Sequence, residues 1–290
     1  MIITLNQLYK ISLFLILSVI SVIILYFGWD YYTLPLNKRF FSELHTLLKP
    51  SGALGHGFGI IGSLMMLVGV VSYMIRKRVK RFSRLGALKN WLIFHIFLCT
   101  LGPILVLYHT AFKFGGLVSI SFWSMAAVVV SGFIGRFIYL QIPRTIEGNE
   151  LSFNDVNKLN INLTQRLREN YNLSESILLM IDEFSFVDLE EIKLSSAISS
   201  FIKKTIEQRK ALKKIKSVLK KSEISKENRK EVIRLIKSKL VLTRKISLLK
   251  SMQKLFGYWH VAHLPFAILM LLIMLVHVGV TIVFGYRWVF

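Results

Sequence analysis

The chain contains one cysteine, Cys99, in 290 residues. With a single thiol there is no Cys-x-x-Cys-His signature for covalent haem attachment, and no set of thiolates for an iron–sulfur cluster. Cys99 itself reads as a small buried apolar residue. Acidic residues are scarce, 16 against 38 lysines and arginines, which leaves a formal net charge of +22. That charge coexists with 53% hydrophobic residues and a mean hydropathy of +0.54, a pairing foreign to a soluble globular domain. No small-residue cleavage motif accompanies the first apolar run, so that run is expected to be a retained anchor and not a signal peptide. No nucleic-acid module is recognisable. The one match to a nucleotide fingerprint, Gly57-Phe58-Gly59-Ile60-Ile61-Gly62, opens an apolar run and follows no strand, so it is set aside.

What the chain does have is apolar length. Runs at 11–29, 54–75, 91–112, 118–141 and 259–285 each approach the roughly 20 residues that a hydrocarbon core requires. The expected fold is all-α: a five-helix integral membrane bundle with a cytoplasmic helical-hairpin insertion. Residues 1–141 carry membrane helices one to four, 142–257 form the insertion, and 258–290 carry the fifth. Trp29, Tyr31 and Tyr32 make an interfacial belt after the first run. The basic stretch Arg76-Lys77-Arg78-Val79-Lys80-Arg81, with Arg84 and Lys89, puts the connection between helices two and three in the cytoplasm. By parity the N-terminus and 142–257 are cytoplasmic, and the C-terminal Tyr286-Arg287-Trp288 lies outside. Lys38, Arg39 and Lys49 in the first outer loop run against this orientation without reversing it. The expected location is the cell inner (cytoplasmic) membrane.

Two histidine pairs stand out inside these runs. His95 and His109 are fourteen residues apart in the third, and so are His263 and His277 in the fifth. Fourteen residues advance a helix by about 21 Å and return the side chain to within about 40° of its starting face. The third and fifth helices run the same way across the membrane, so depths match by order, His95 with His263 on the inner side and His109 with His277 on the outer. His260 is about 100° off the face of His277 and takes a lesser role near the inner interface. A buried ionisable group in a membrane helix is costly, which makes it a functional candidate by default. Zinc would need ligands converging at about 2 Å, not two levels some 21 Å apart. Two flat macrocycles clamped between two helices suit the pattern, and without cysteine attachment they are haem b held by axial ligation. The four histidines are then the metal ligands.

On these four residues and the surrounding helix order, 54–141 with 258–285 resembles the transmembrane part of the ferric reductase and NADPH oxidase family, a dihaem cytochrome b. It is similar, more loosely, to the dihaem cytochrome b of quinol-oxidising complexes. The resemblance implies stepwise electron transfer between two haems across the bilayer. Within these 290 residues no flavin or nicotinamide domain follows the bundle, so electrons are expected from another subunit or from quinol. The implied partners are membrane lipid and a flavoprotein, iron–sulfur or cytochrome c subunit.

Further residues support or compete with this reading. Gly102, midway between His95 and His109, is expected to let a helix approach the two macrocycles; as the alternative, Gly102-Pro103 is a helix kink. Gly55, Gly59, Gly62 and Gly69 form a small-residue face for close packing against a helix or a macrocycle. His56 serves either a quinone or a haem propionate, or a structural hydrogen bond. Arg136, in the inner turn of the fourth helix, either snorkels to the headgroups or pairs with an inner propionate. Ser131, Gly132 and Gly135 make the small face of that helix, and Pro143 stops it. His45 is expected to be solvated or interfacial.

The insertion carries most of the acidic groups. Leu194, Ile198, Phe201, Ile202, Leu212, Ile215 and Leu219 recur at helical spacing, as do Val232, Ile236, Leu240, Ile246, Leu249 and Met252. With Lys220 to Asn228 between them and Ser225 as N-cap, they predict an antiparallel hairpin that runs into the fifth helix through Phe256-Gly257-Tyr258-Trp259. An amphipathic segment at 151–169 and an acidic stretch from Asp182 to Glu191 precede it. The hairpin's basic surface suits anionic lipid or an acidic partner ahead of a merely solvated face, and no nucleic acid is expected. The competing function class is a haem-free membrane adaptor that recruits a partner through this hairpin, with the histidines as helix glue.

Overall fold

Backbone in lipid must close its hydrogen bonds internally, and every expected span is helical in the computed structural model. It describes residues 5–82, 84–116, 118–144, 150–171, 173, 175–184, 196–221 and 225–284. The helices are α1 (Leu5–Tyr32), α2 (His45–Leu48), α3 (Ala53–Arg78), α4 (Leu88–His109), α5 (Val118–Gln141), α6 (Phe153–Tyr171), α7 (Glu175–Phe184), α8 (Ala197–Lys221) and α9 (Lys226–Val283). The fold is all-α; among the described residues the one β feature is an isolated bridge between Arg144 and Glu150. Among the described residues five helices are long and apolar enough to cross a membrane, the make-up of a multi-pass membrane protein. Tyr286, Arg287, Trp288, Leu194, and 185–191 of the acidic stretch lie outside the described residues.

The chain divides into two compact units, Met1–Phe133 with Val261–Phe290, and Ile134–His260. The divisions fall inside α5 and α9, where Ile138 and Ile142 at the end of α5 pack on Leu248, Leu249 and Met252 of α9. The second hairpin helix and the fifth span are a single helix of 58 residues.

In the first unit, α3 and α4 make the most extensive helix–helix contact of the chain. They run antiparallel, and glycines set the spacing. A Cβ at Gly62 would stand 2.6 Å from Gly102 O, and a Cβ at Gly102 would stand 2.7 Å from Gly62 O. Apolar side chains gain nothing over lipid by touching each other, so such close backbone approach, with its dispersion contacts, is what associates membrane helices. The bare Cα of Gly102, expected to let a helix approach the macrocycles, faces α3 at Gly62 and Met66.

The end of this pair that carries His109 is fastened by a cation. Arg39 is only 5% exposed. Its guanidinium donates to Leu34 O (2.9 Å), Tyr32 O (2.7 Å) and Ala111 O (2.5 Å). Those carbonyls lie at or just beyond the C-terminal ends of α1 and α4, where the backbone carries partial negative charge. Ala111 and Phe112, with φ of 48° and 58°, turn the chain sharply after His109, which is why α4 stops short of residue 112. Tyr32 Oη donates to Tyr108 O (3.3 Å), and the rings of Tyr31, Tyr32, Tyr108 and Phe112 pack edge-on around the clamp. Arg39, which opposes the orientation in a simple charge count, is thus a structural residue.

In the second unit, α6, α7, α8 and α9 enclose Leu167, Ile177, Ile181, Ile215, Leu219, Val232, Ile236 and Leu240. The hairpin is antiparallel: Gln208 donates to Leu240 O, and Arg244 Nη1 donates to Thr205 Oγ1 at 2.6 Å. Ser225 caps α9, accepting from Asn228 N at 3.3 Å. Ser152 and Asp155 form a reciprocal box at the start of α6, and these hydrogen bonds hold the Asp155 carboxyl below the usual carboxylate range. Ile198 and Ile202, expected in the hairpin core, are instead 54% and 52% exposed.

Arg39→Ala strands three carbonyls and is expected to cost about 3 kcal/mol, read by denaturant unfolding in detergent. Arg39→Lys, lacking the planar fork, should recover only part of the loss.

Candidate functional site

Each rung of the α3–α4 ladder is seven residues from the next. His109 Nδ1 lies 2.8 Å from Gly55 O, Gly62 and Gly102 meet in the middle, and His95 Nδ1 lies 3.0 Å from Gly69 O. A carbonyl only accepts, so each Nδ1 carries the proton and donates. The tautomer is then fixed, with Nε2 the lone-pair nitrogen, which is how metal-ligating histidines are usually oriented by an outer hydrogen bond.

The glycines also make room for the rings. A Cβ at Gly59 would lie 2.8 Å from Cγ and Nδ1 of His109, so any side chain there displaces the imidazole. Gly55 has no space either, because Lys49 O at the end of α2 occupies it. Gly69 packs against Leu98 and Cys99 beside His95. His95 further meets Cys99 Sγ at 3.6 Å from Nδ1 and the Tyr73 ring at 5.4 Å between centroids.

On α9, His263, Met270 and His277 follow the same seven-residue step along one face. His263 Nδ1 is 2.6 Å from Ser131 Oγ of α5. Met270 joins Met66 and Met125 in a buried sulfur-rich cluster between the two histidine levels, with Val106, Phe122 and Met274 around it. His277 reaches His109: their ring centroids are 6.5 Å apart with planes inclined at 55°. His56 of α3 is the third ring at that level, 6.3 Å from His109.

The expected outer pair, His109 and His277, is therefore brought together. The expected inner pair is not in ring contact; His95 is seated on α3 and His263 on α5. Arg136 lies over the Tyr139 ring at 5.4 Å. His260 packs edge-on against Phe256 and Trp259, and Trp259 fills the gap left by Gly135. His45, expected to be solvated or interfacial, is half-buried with Nδ1 3.2 Å from Tyr31 Oη.

A bis-imidazole metal centre puts two nitrogens about 2 Å from one ion, which sets the ring centroids roughly 6 Å apart. The His109–His277 centroids, 6.5 Å apart, are at about that distance, as are those of His56 and His109 at 6.3 Å, so the imidazole donors at this level are of the kind that would hold a haem iron. Among the described residues no group of three or more His, Cys, Asp or Glu is arranged to hold a bare metal ion; axial ligation of a macrocycle needs two. The residues that pattern reading missed are the acceptors: the carbonyls of Gly55 and Gly69, and the hydroxyl of Ser131. The signal that could have found the first two is arithmetic, since Gly55, Gly62 and Gly69 repeat every seven residues as His95, Gly102 and His109 do.

No family model, curated protein or solved structure matches this chain.

Gly59→Val and Gly62→Val are each expected to destabilise the protein by about 1–3 kcal/mol through overpacking. Gly132→Ala, where an added Cβ meets nothing within 4 Å, should be neutral or stabilising. Thermal unfolding in one detergent compares the three.

Proposed function

We propose that the protein is a b-type cytochrome of the cytoplasmic membrane that passes electrons across the bilayer through two haems. The observation that carries this reading is the outer pair: two histidines from different membrane helices at bis-imidazole separation, one of them with its tautomer set by a backbone carbonyl. Haem bound there supplies a one-electron carrier that neither the side chains nor the backbone can replace.

The chain's own residues do the rest. His109 and His277 would hold the outer group, with Gly55 O accepting the Nδ1 proton of His109 and so orienting its ring. His95 and His263 would hold the inner group, their rings oriented by Gly69 O and Ser131 Oγ. His56 stands beside the outer pair, where a propionate or a quinone would meet it. Fourteen helical residues separate the two levels by about 21 Å, and the methionine cluster keeps the space between them dry. The basic run Arg76 to Arg81 favours a cytoplasmic α3–α4 connection, and with it a cytoplasmic N-terminus and an external C-terminus. Donor and acceptor are a quinone or a flavoprotein, iron–sulfur or cytochrome c subunit.

A haem-free adaptor would use the same histidine hydrogen bonds purely to glue helices, and one experiment separates the two. Protein expressed with ample haem is expected to show b-type bands in a reduced-minus-oxidised spectrum. His109→Ala and His277→Ala should each lose about half of the bound haem, as should His95→Ala and His263→Ala, while His56→Ala keeps its haem. A purified, folded protein without haem absorbance sinks the cytochrome reading.

A further inference from the structure

Between the two histidine levels the membrane unit gathers sulfur. Met66 of α3, Met125 of α5 and Met270 of α9 are buried together there, exposed by only 6%, 4% and 8%, with Met274 packed beside them. Four of the chain's nine methionines thus meet at one place. Along 261–283 of α9, Met270 is the one buried residue, and along 118–133 of α5 the buried residues are Ser124 and Met125, all of these stretches being described. A leucine at each position would fill the same volume; methionine adds a polarizable thioether. Two of the three are also held in place. Ser121 Oγ, one turn before Met125, donates to Met270 O at 3.3 Å and fixes α9 against α5. Met66 lies across the bare Cα of Gly102, where a Cβ would stand 2.8 Å from its Cγ.

We propose that Met66, Met125 and Met270 form a thioether site for a soft monovalent metal ion, copper(I), inside the membrane unit. Thioethers are neutral and soft, the ligand class that selects copper(I) over harder ions. Val106 and Phe122, which surround the cluster, are apolar. A magnesium, calcium or zinc ion entering there would give up its water shell for no oxygen ligand and no counter-charge, a loss that a single charge on a polarizable ion keeps smallest. His, Cys, Asp and Glu form no metal-holding group of three among the described residues, so the three methionines are a separate donor set. The site stands apart from the imidazoles. Seven residues, about 10 Å of helix, separate Met270 from His263 on one side and from His277 on the other. It therefore stands whether or not haem binds.

The test uses the full chain in detergent, without oxygen, dialysed to equilibrium against copper(I) buffered by bicinchoninate, with bound metal read by elemental analysis. The protein is expected to retain about one copper(I) per chain, and Cys99→Ala should retain as much. Met125→Leu and Met270→Leu should each weaken binding about tenfold or more. Met74→Leu, at an exposed methionine of α3, should leave it unchanged. Leucine conserves the volume, so thermal unfolding should barely move in any of the three. Copper K-edge absorption of the loaded Cys99→Ala protein decides the matter even if a methionine variant misfolds, because thioethers are then its only sulfur donors. A first shell of sulfur alone is the expected result. No retained copper, nitrogen or oxygen in that shell, loss of binding in Cys99→Ala, or binding indifferent to the Met125 and Met270 changes each overturns the proposal. None of these readouts measures haem, so the cytochrome reading stands or falls separately.

Discussion

Close approach of α3 to α4 at Gly62 and Gly102 is the constraint from which the rest of the membrane unit follows. Gly55 O and Gly69 O can reach imidazoles on α4 only because no side chain holds the two backbones apart. In lipid this contact cannot be replaced by generic apolar burial, since the hydrocarbon offers the same dispersion contacts to a separated helix. Ordering the histidines and associating the helices are therefore one event. The same contact decides the tautomers, because an acceptor that lacks a proton leaves each imidazole only one way to satisfy it.

Much of the architecture was legible in the sequence. Hydropathy located five spans within a few residues, since a bilayer leaves little choice about length or backbone pairing. The α9 core positions Val232, Ile236 and Leu240 were legible from period alone. Period was a poorer guide in α8, where Ile198 and Ile202 share the spacing of a core face yet lie outside it; a helix with two apolar stripes gives no indication of which one a neighbour will cover. The compact units part inside α5 and α9 because Ile138 and Ile142 pack on Leu248, Leu249 and Met252, a contact between distant stretches of chain that spacing alone does not show.

The site was legible in its imidazoles and illegible in their partners. Spacing of fourteen flagged four histidines, and two of them meet at His109 and His277. Spacing could not say that Ser131, read as a small residue, would face His263, or that Gly102 would be spent on α3. Backbone acceptors have no side-chain signature at all, so Gly55 and Gly69 were noticed for what they lack and not for the carbonyl each presents. Arg39 illustrates the same blindness for charge: a count by sign treats it as topogenic, whereas its guanidinium is consumed by three carbonyls.

A ladder with identical rungs carries its own ambiguity. Sliding α4 by one heptad along α3 would again set glycine against glycine or imidazole against a carbonyl, so the repeat alone specifies the pairing only up to a multiple of seven. The end fittings break the degeneracy. Lys49 O fills the place of a side chain at Gly55, and the Arg39 guanidinium pins Ala111, just past the final imidazole. These fittings act as an index mark, and a chain assembling in the bilayer reads it once to choose a single alignment among several that the heptads would accept.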